Sequence, residues 1–475
     1  MSYFTLWLPG LDSNQGEWIQ SPLSYQLDDP AMFACADILK YFGLKINFER
    51  DILNSYPMAT DKFETGQIQV NMEALDKEVQ KQSPFRSVIK IVDTVIEQAN
   101  ALRASDIHMD PEEKALRLRF RVDGVLHDVY RFPKEVHSEI LTRIKVLSGL
   151  RTDEHQAAQD GRLRLALKEG GNLDVRVSIT PTYYGENCVM RLLSDHASDE
   201  FSLEKLGFSK DNMERINRAM KRPYGMILAT GPTGSGKTTT LYMILKKINV
   251  PEVSIVTIED PIEYSLPGVD QIQVNPKTGL LFSTGLRSIL RQDPNVIMVG
   301  EIRDGETANI AINAAMTGHM VLSTLHTNDA PTTLPRLLDL GVEPFLIAST
   351  LNIAIGQRLV RTICPDCKVK KVFTDAELAA LRESISVKLL GTNKIFYKGE
   401  GCNRCSGSGY KGRVGIHEVL EVTEKIRDLI MKKANADEIR RAAIEEGMIT
   451  MMQDGFEKVV NGETTIEEIL RVFHE

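Results

Sequence analysis

Residues 231–238 read GPTGSGKT and fill every fixed position of the pattern G-x-x-x-x-G-K-[ST]. The apolar run GMILA precedes them and TTTLYMILKKI follows, so the loop lies between a predicted strand and a predicted helix. Few chain paths suit such a loop. Gly231, Gly234 and Gly236 let the backbone curl until successive N–H groups point inward at phosphate oxygens. The N-terminus of the following helix adds the positive end of its dipole. In this arrangement Lys237 reaches the β- and γ-phosphates of a nucleoside triphosphate, and the Thr238 hydroxyl ligates Mg²⁺. Pro232, Thr233, Ser235 and Thr239 complete the predicted cradle.

The surrounding residues 203–360 alternate between strand-like and helix-like segments: GMILA, TTTLYMILKKI, VSIVTIE, NVIMVGE, ETANIAINAAM and MVLSTLH. That order predicts an α/β domain of RecA-like type, a P-loop NTPase built on a mostly parallel sheet. Two strands end in carboxylates, at Glu259 with Asp260 and at Glu301. Strand ends in a parallel sheet lie on the side of the phosphate loop. One carboxylate there can hold Mg²⁺ while another orients the attacking water. Gly300 stands where many such ATPases carry the Mg²⁺-binding Asp, so Glu301 takes the Mg²⁺ role and Glu259 the water.

Upstream, residues 85–193 predict a small α+β (PAS-like) domain. SVIKIVDTVIEQANAL has helical spacing, and ALRLRFRV and VLHDVYRF flank Asp123-Gly124 as a hairpin. RLRLALK and NLDVRVSI flank Glu169-Gly170-Gly171 as a second. Alternation puts Arg117, Arg119 and Arg121 on one polar face, and Arg162 and Arg176 on strands of the second hairpin. Arg117 and Arg119 read as solvated ion pairs. Residues 194–202 are polar and read as a linker, and 1–83 carry no motif beyond one amphipathic helical stretch.

Cys364, Cys367, Cys402 and Cys405 form two C-x₂-C pairs separated by 34 residues. Two such knuckles complete a tetrahedral Zn²⁺ site with no open position, which predicts a structural module over 361–413. The spacer is long, so an insertion must loop out. Residues 414–475 read as a helical region. Thr465 and Glu468 read there as a capping box. No segment approaches the roughly 18 apolar residues of a membrane span. The N-terminus lacks the basic-then-apolar order of a secretory signal. A cytosolic protein is therefore expected, touching a membrane only through partners. The formal net charge of −8 disfavours a protein that tracks a nucleic-acid backbone.

Four further stretches, ASDIHMDP (104–111), TIEDPIEY (257–264), LRQDPNVIMVGEIRDGETA (290–308) and TGHMVLSTLHTNDA (317–330), join the phosphate loop and the cysteine pairs. Together they closely resemble the secretion ATPases of type II secretion and type IV pilus assembly, from about residue 85 to the C-terminus. The resemblance implies a homohexamer at the cytoplasmic face of the inner membrane. There it would work through a membrane platform protein, with an adaptor docking on the N-terminal segment. It implies roles for Glu259, His319 and His326, the last as a γ-phosphate sensor. It also implies that arginines of the α+β domain reach the triphosphate, Arg162 and Arg176 first, with Arg287 and Arg291 as further candidates. The cysteine module points to assembly rather than retraction. The competing readings are a nucleic-acid translocase and a nucleotide-gated scaffold with negligible turnover.

Overall fold

The computed structural model describes residues 73–81, 85–166, 172–194, 202–373 and 395–474. The expectations for 1–72, the Gly170-Gly171 turn and most of the 194–202 linker lie outside these residues.

The first part opens with α1 (Glu73–Val79) and α2 (Val88–Ala101). Ser87 caps α2, accepting the Lys90 N–H. Strands β1 (Asp106–Pro111), β2 (Ala115–Val122) and β3 (Val125–Pro133) lead to α3 (His137–Leu147). Strands β4 (Gln159–Ala166), β5 (Asn172–Thr182) and β6 (Gly185–Ser194) follow. They form one antiparallel sheet in the order β3-β2-β1-β6-β5-β4. The expected hairpins are β2–β3 and β4–β5; β1 and β6, not anticipated as strands, join them in the centre. Leu116, Leu118 and Phe120 of β2 are buried against α2 and α3, while the intervening arginines face outward. Arg117 holds Asp128 through two hydrogen bonds of 2.8 Å, and Arg119 lies 2.7 Å from Asp110. These are the surface pairs expected of them, each worth at most about 1 kcal/mol.

The second part contains α4 (Lys210–Met220), β7 (Gly225–Thr230), α5 (Lys237–Ile248), β8 (Ile255–Glu259) and β9 (Asp270–Gln273). Next come α6 (Phe282–Ile289), β10 (Val296–Val299), α7 (Gly305–Met316) and β11 (Met320–Leu325). Helices α8 (Thr333–Asp339) and α9 (Pro344–Thr350) precede β12 (Leu351–Ile363). The sheet order is β15-β12-β7-β11-β10-β8-β9, where β15 is Tyr410–Glu421. Every pairing is parallel except β12 with β15. Alternate residues of β7 serve opposite faces: Met226 and Leu228 enter one core, Ile227 and Ala229 the other. A strand covered on both faces must be continuously apolar, as GMILA is.

Two boundaries differ from expectation. Residues 414–421 belong to β15 and close the edge of the ATPase sheet; they are not part of a helical region. Strand β12 likewise runs on to Ile363, so the cysteine module is an insertion within the β12–β15 hairpin. It contains the two-stranded ribbon of β13 (Lys368–Val372) and β14 (Ile395–Gly399). Helices α10 (Glu424–Met431), α11 (Ala436–Glu445), α12 (Met451–Val460) and α13 (Ile466–His474) finish the chain.

The Thr465 hydroxyl accepts the Glu468 N–H at 3.2 Å, half of the expected capping box. The Glu468 carboxylate goes elsewhere. It is 1 % exposed and binds Arg361 of β12, at 2.8 Å, and Arg471, at 2.5 Å. Burial alone would raise its pKa, but bonds to Arg471 and Arg361 bring it down to about 2. Removing one partner from a buried ionic cluster costs roughly 3–5 kcal/mol. Glu468→Ala is therefore expected to lower stability by about that amount in chemical denaturation at pH 7. Because the folded pKa is depressed from 4.5, the contribution is complete above pH 4.5 and is lost as pH falls toward about 2. The destabilisation should shrink across that window.

Candidate functional site

Strand β7 ends at Thr230, and the loop 231–236 turns into α5. Gly231, Gly234 and Gly236 have φ of 146°, 79° and 87°, the left-handed region that the motif requires. Helix α5 has no side-chain cap, so the N–H groups of its first turn face the loop's mouth. The Ser235 hydroxyl is buried without a hydrogen-bond partner among the described residues. The Lys237 ammonium donates to the carbonyls of Gly231 and Pro232 at 2.8 and 3.0 Å. Burial holds its pKa below the ordinary lysine range, and the charge of Glu301 opposes that shift. Uncapped N–H groups, an orphaned hydroxyl and a half-desolvated cation form a donor set that fits a triphosphate.

A residue not anticipated from the sequence shapes this loop. The Gln357 amide, on β12, donates to the Ser235 carbonyl at 2.7 Å and accepts from the Thr240 hydroxyl at 2.8 Å. A Cβ on Gly231 would collide with the Gln357 carbonyl oxygen. The parallel pairing of β12 with β7 places it there. A glutamine within an apolar strand, LNIAIGQRLV, was the available signal.

The carboxylates sit at the ends of adjacent strands. Glu259 is 2 % exposed. Its oxygens accept from the Tyr242 hydroxyl, from Thr257 at 2.6 Å and from Gln271 at 3.2 Å. Burial and the Glu259 charge push the Tyr242 phenol far above its usual range and the Tyr264 phenol to about 12. Both phenols therefore stay protonated beside the carboxylate. Glu301 accepts from His326 at 3.1 Å and from Arg303 at 2.5 Å. His319 is not brought here: it precedes β11 at the opposite end of the sheet, with Nδ1 2.9 Å from the Ala314 carbonyl. Arg287 pairs with Glu306 at 3.0 Å, and Arg291 donates to the Arg287 carbonyl.

Arg162 and Arg176 are directly paired across β4 and β5, and Arg176 with Arg191 across β5 and β6. Arg176 donates to the Ile262 carbonyl at 2.7 Å and lies 3.7 Å from Glu263. Arg162 donates to Gln273 at 3.0 Å. Both thus cross to the β8–β9 edge of the ATPase sheet, beside Glu259. Burial lowers the Arg176 pKa; Glu263 opposes that, while Arg162 and Arg191 add to it.

The four module cysteines form one cluster with all sulfurs within 4.8 Å of one another. The Cys364–Cys402, Cys367–Cys405 and Cys402–Cys405 separations are 3.8, 3.8 and 3.7 Å. Four sulfurs about 2.3 Å from one ion lie about 3.8 Å apart, so the cluster matches a tetrahedral metal site. Burial raises the Cys405 thiol, but backbone N–H groups of Cys402 and Gly409 outweigh it and bring the pKa to about 7.

A phosphate loop on a parallel sheet, facing two strand-end carboxylates, defines a P-loop ATPase. Residues 81–471 match the family described as type II/IV secretion system protein, and the chain belongs to that family. It is 44% identical over 393 residues to the type IV pilus assembly ATPase PilB of Myxococcus xanthus, covering 83% of this chain and 69% of that protein. It is 46% identical over 389 residues to type II secretion system protein E of Dickeya dadantii, covering 82% and 76%. Among solved structures, the pilus retraction motor PilT with bound ADP aligns at 27% identity and a TM-score of 0.54, covering 80% of this chain and 96% of that one. The Legionella pneumophila ATPase DotB shares the fold at 22% identity and a TM-score of 0.60, covering 83% and 98%.

Leaving a buried hydrogen-bonding partner unpaired costs roughly 1–3 kcal/mol. Gln357→Ala is therefore expected to weaken nucleotide binding about tenfold in a fluorescent-nucleotide titration; unchanged affinity would remove Gln357 from the loop's support.

Proposed function

We propose that this chain is an ATP-hydrolysing motor that powers assembly of a type IV pilus or a type II secretion pseudopilus. It acts as a homohexamer at the cytoplasmic face of the inner membrane, through a membrane platform protein. The N-terminal segment serves as the adaptor-docking element. The observation that carries this reading is the crossing of Arg162 and Arg176 from the antiparallel domain to the edge of the ATPase sheet. Cations lent by one domain to a site held by another make closure of the cleft sensitive to the charge within it.

The loop 231–236 and the first turn of α5 bind the phosphates through backbone N–H groups. Thr238 and Glu301 would hold Mg²⁺, which would neutralise charge on the phosphate oxygens. Lys237 supplies positive charge to the β- and γ-positions. Glu259 orients the attacking water: a carboxylate offers roughly four acceptor sites, and three are used by Tyr242, Thr257 and Gln271. His326, bonded to Glu301, senses the γ-position. Arg162 and Arg176 stabilise charge developing on the transferred group. Arg191 reinforces them from the next strand. Cys364, Cys367, Cys402 and Cys405 would hold one structural Zn²⁺, which would fix the base of the β13–β14 ribbon.

Lys237→Ala should abolish turnover, Glu259→Gln should lower kcat at least a hundredfold with nucleotide still bound, and Arg176→Ala should lower it by about 10³. Each is measured as steady-state phosphate release. Wild-type turnover in Glu259→Gln would remove the water-orienting role. Hydrolysis stimulated by DNA would favour a nucleic-acid translocase. Metal analysis of protein purified without added zinc should give about one Zn²⁺ per chain, and none for Cys364→Ser/Cys402→Ser.

A further inference from the structure

The loop after β11 does more than present His326. The next residue, Thr327, grips the strand that feeds the phosphate loop. Its N–H donates to the Thr230 hydroxyl at 3.1 Å, and that hydroxyl donates to the Thr327 carbonyl at 2.9 Å. Two residues further on, the loop turns to the C-terminal helices. The Asp329 carboxylate binds Arg440 of α11 at 2.6 Å. The Ala330 N–H donates to Glu418 of β15 at 2.7 Å. The other oxygen of Glu418 accepts the N–H of Met451, the first residue of α12, at 3.2 Å. Five consecutive residues therefore connect Glu301, Thr230, α11 and α12.

Thr450 and Gln453 form a reciprocal capping box at the start of α12. Glu418 supplements that cap, taking the Met451 N–H that the box leaves over. A carboxylate 4 % exposed is costly to bury, and only two backbone N–H groups receive it. Strand β12 leaves room for it with Gly356, whose Cβ would lie 2.9 Å from both the Ala330 nitrogen and the Glu418 Cγ. An apolar side chain would fill the same space but leave the Ala330 and Met451 N–H groups unpaired, so the two oxygens of one carboxylate join the His326 loop to the start of α12.

We infer that Glu418 and the Asp329–Arg440 pair are positioning residues that couple the nucleotide site to helices α11 and α12. The coupling rests on the ATPase reading above and extends it: the helices shift with the His326 loop.

The test uses the full chain and the variants Arg440→Ala and Glu418→Gln. Arg440 is partly exposed on a helix surface, so its variant should keep the wild-type melting temperature. In both variants kcat should fall about tenfold, with KM for ATP within about twofold, in the range of measured coupling changes. Hydrogen exchange at α11 and α12 should slow when a non-hydrolysable ATP analogue binds the wild type, and should not respond in the variants. Asp329→Asn/Arg440→Ala should be no slower than Arg440→Ala alone. If Glu418→Gln fails to fold, Arg440→Ala decides the matter. Nucleotide-dependent protection that persists in Arg440→Ala, with kcat within twofold of wild type, overturns the coupling. Absence of turnover in the wild type would instead overturn the ATPase reading, while the exchange comparison would still decide the coupling.

Discussion

The phosphate loop depends on its carbonyl groups being satisfied from outside. A loop that turns its N–H groups inward must direct its carbonyls somewhere, because buried backbone polar groups are almost always paired. Here Lys237 takes the carbonyls of Gly231 and Pro232, and Gln357 takes that of Ser235. Within the loop only the Ser235 N–H turns back, to the Pro232 carbonyl at 3.3 Å among the described residues, and the rest are left for a ligand. Gln357 can do this only because β12 lies parallel to β7 with Gly356 opposite Thr230. The central pairing of the sheet thus sets the shape of the anion cradle, and the residues of the motif alone would not hold it.

The row Arg162–Arg176–Arg191 poses the opposite problem. Three guanidinium groups lie in register on neighbouring strands. Asp106 relieves Arg191 at 2.9 Å and Glu263 relieves Arg176 at 3.7 Å, while the Arg176 Nε is buried without a partner. Like charges this close oppose one another most strongly where burial lowers the local dielectric. An anion brought to the row would relieve that repulsion.

The parts of this arrangement legible in the sequence are those fixed locally. GPTGSGKT, the Asp123-Gly124 hairpin, the apolar parallel strands and the paired cysteines each carry their cause within a few residues. Glu259 and Glu301 were legible as strand-end acids, but the nest of Tyr242, Thr257 and Gln271 around Glu259 was not, because it is assembled from three elements. Residues 414–421 of β15 do not read as a strand, because VGIHEVLE contains polar residues that a buried strand would normally exclude. His417 and Glu418 sit in its interior nonetheless, His417 stacked on Phe208 at 3.6 Å and Glu418 held by Ala330. Arg191 is hidden in the sequence for a related reason: only the strand register shows that it continues the row begun by Arg162.

The two sheets also run along one another. In the antiparallel sheet, β4 and β5 lie at one end and the β2–β3 hairpin at the other. The first end meets the β8–β9 edge of the ATPase sheet through Arg162 and Arg176. The other meets the opposite edge: Asp123, at the hairpin tip, accepts the Gly412 N–H at 2.8 Å and lies 3.9 Å from Arg413, both on β15 next to the cysteine module. The phosphate loop, at the end of β7, falls between these contacts. A body attached at both edges cannot rotate about one without breaking the other. Opening at the arginine end, when the charge there changes, must either pivot on Asp123 or release it. The cysteine cluster is tied to the start of that strand: the Gly409 N–H donates to Cys405, three residues before Gly412. The cluster whose spacing fits a tetrahedral metal site thus lies within a few residues of the Asp123 contact.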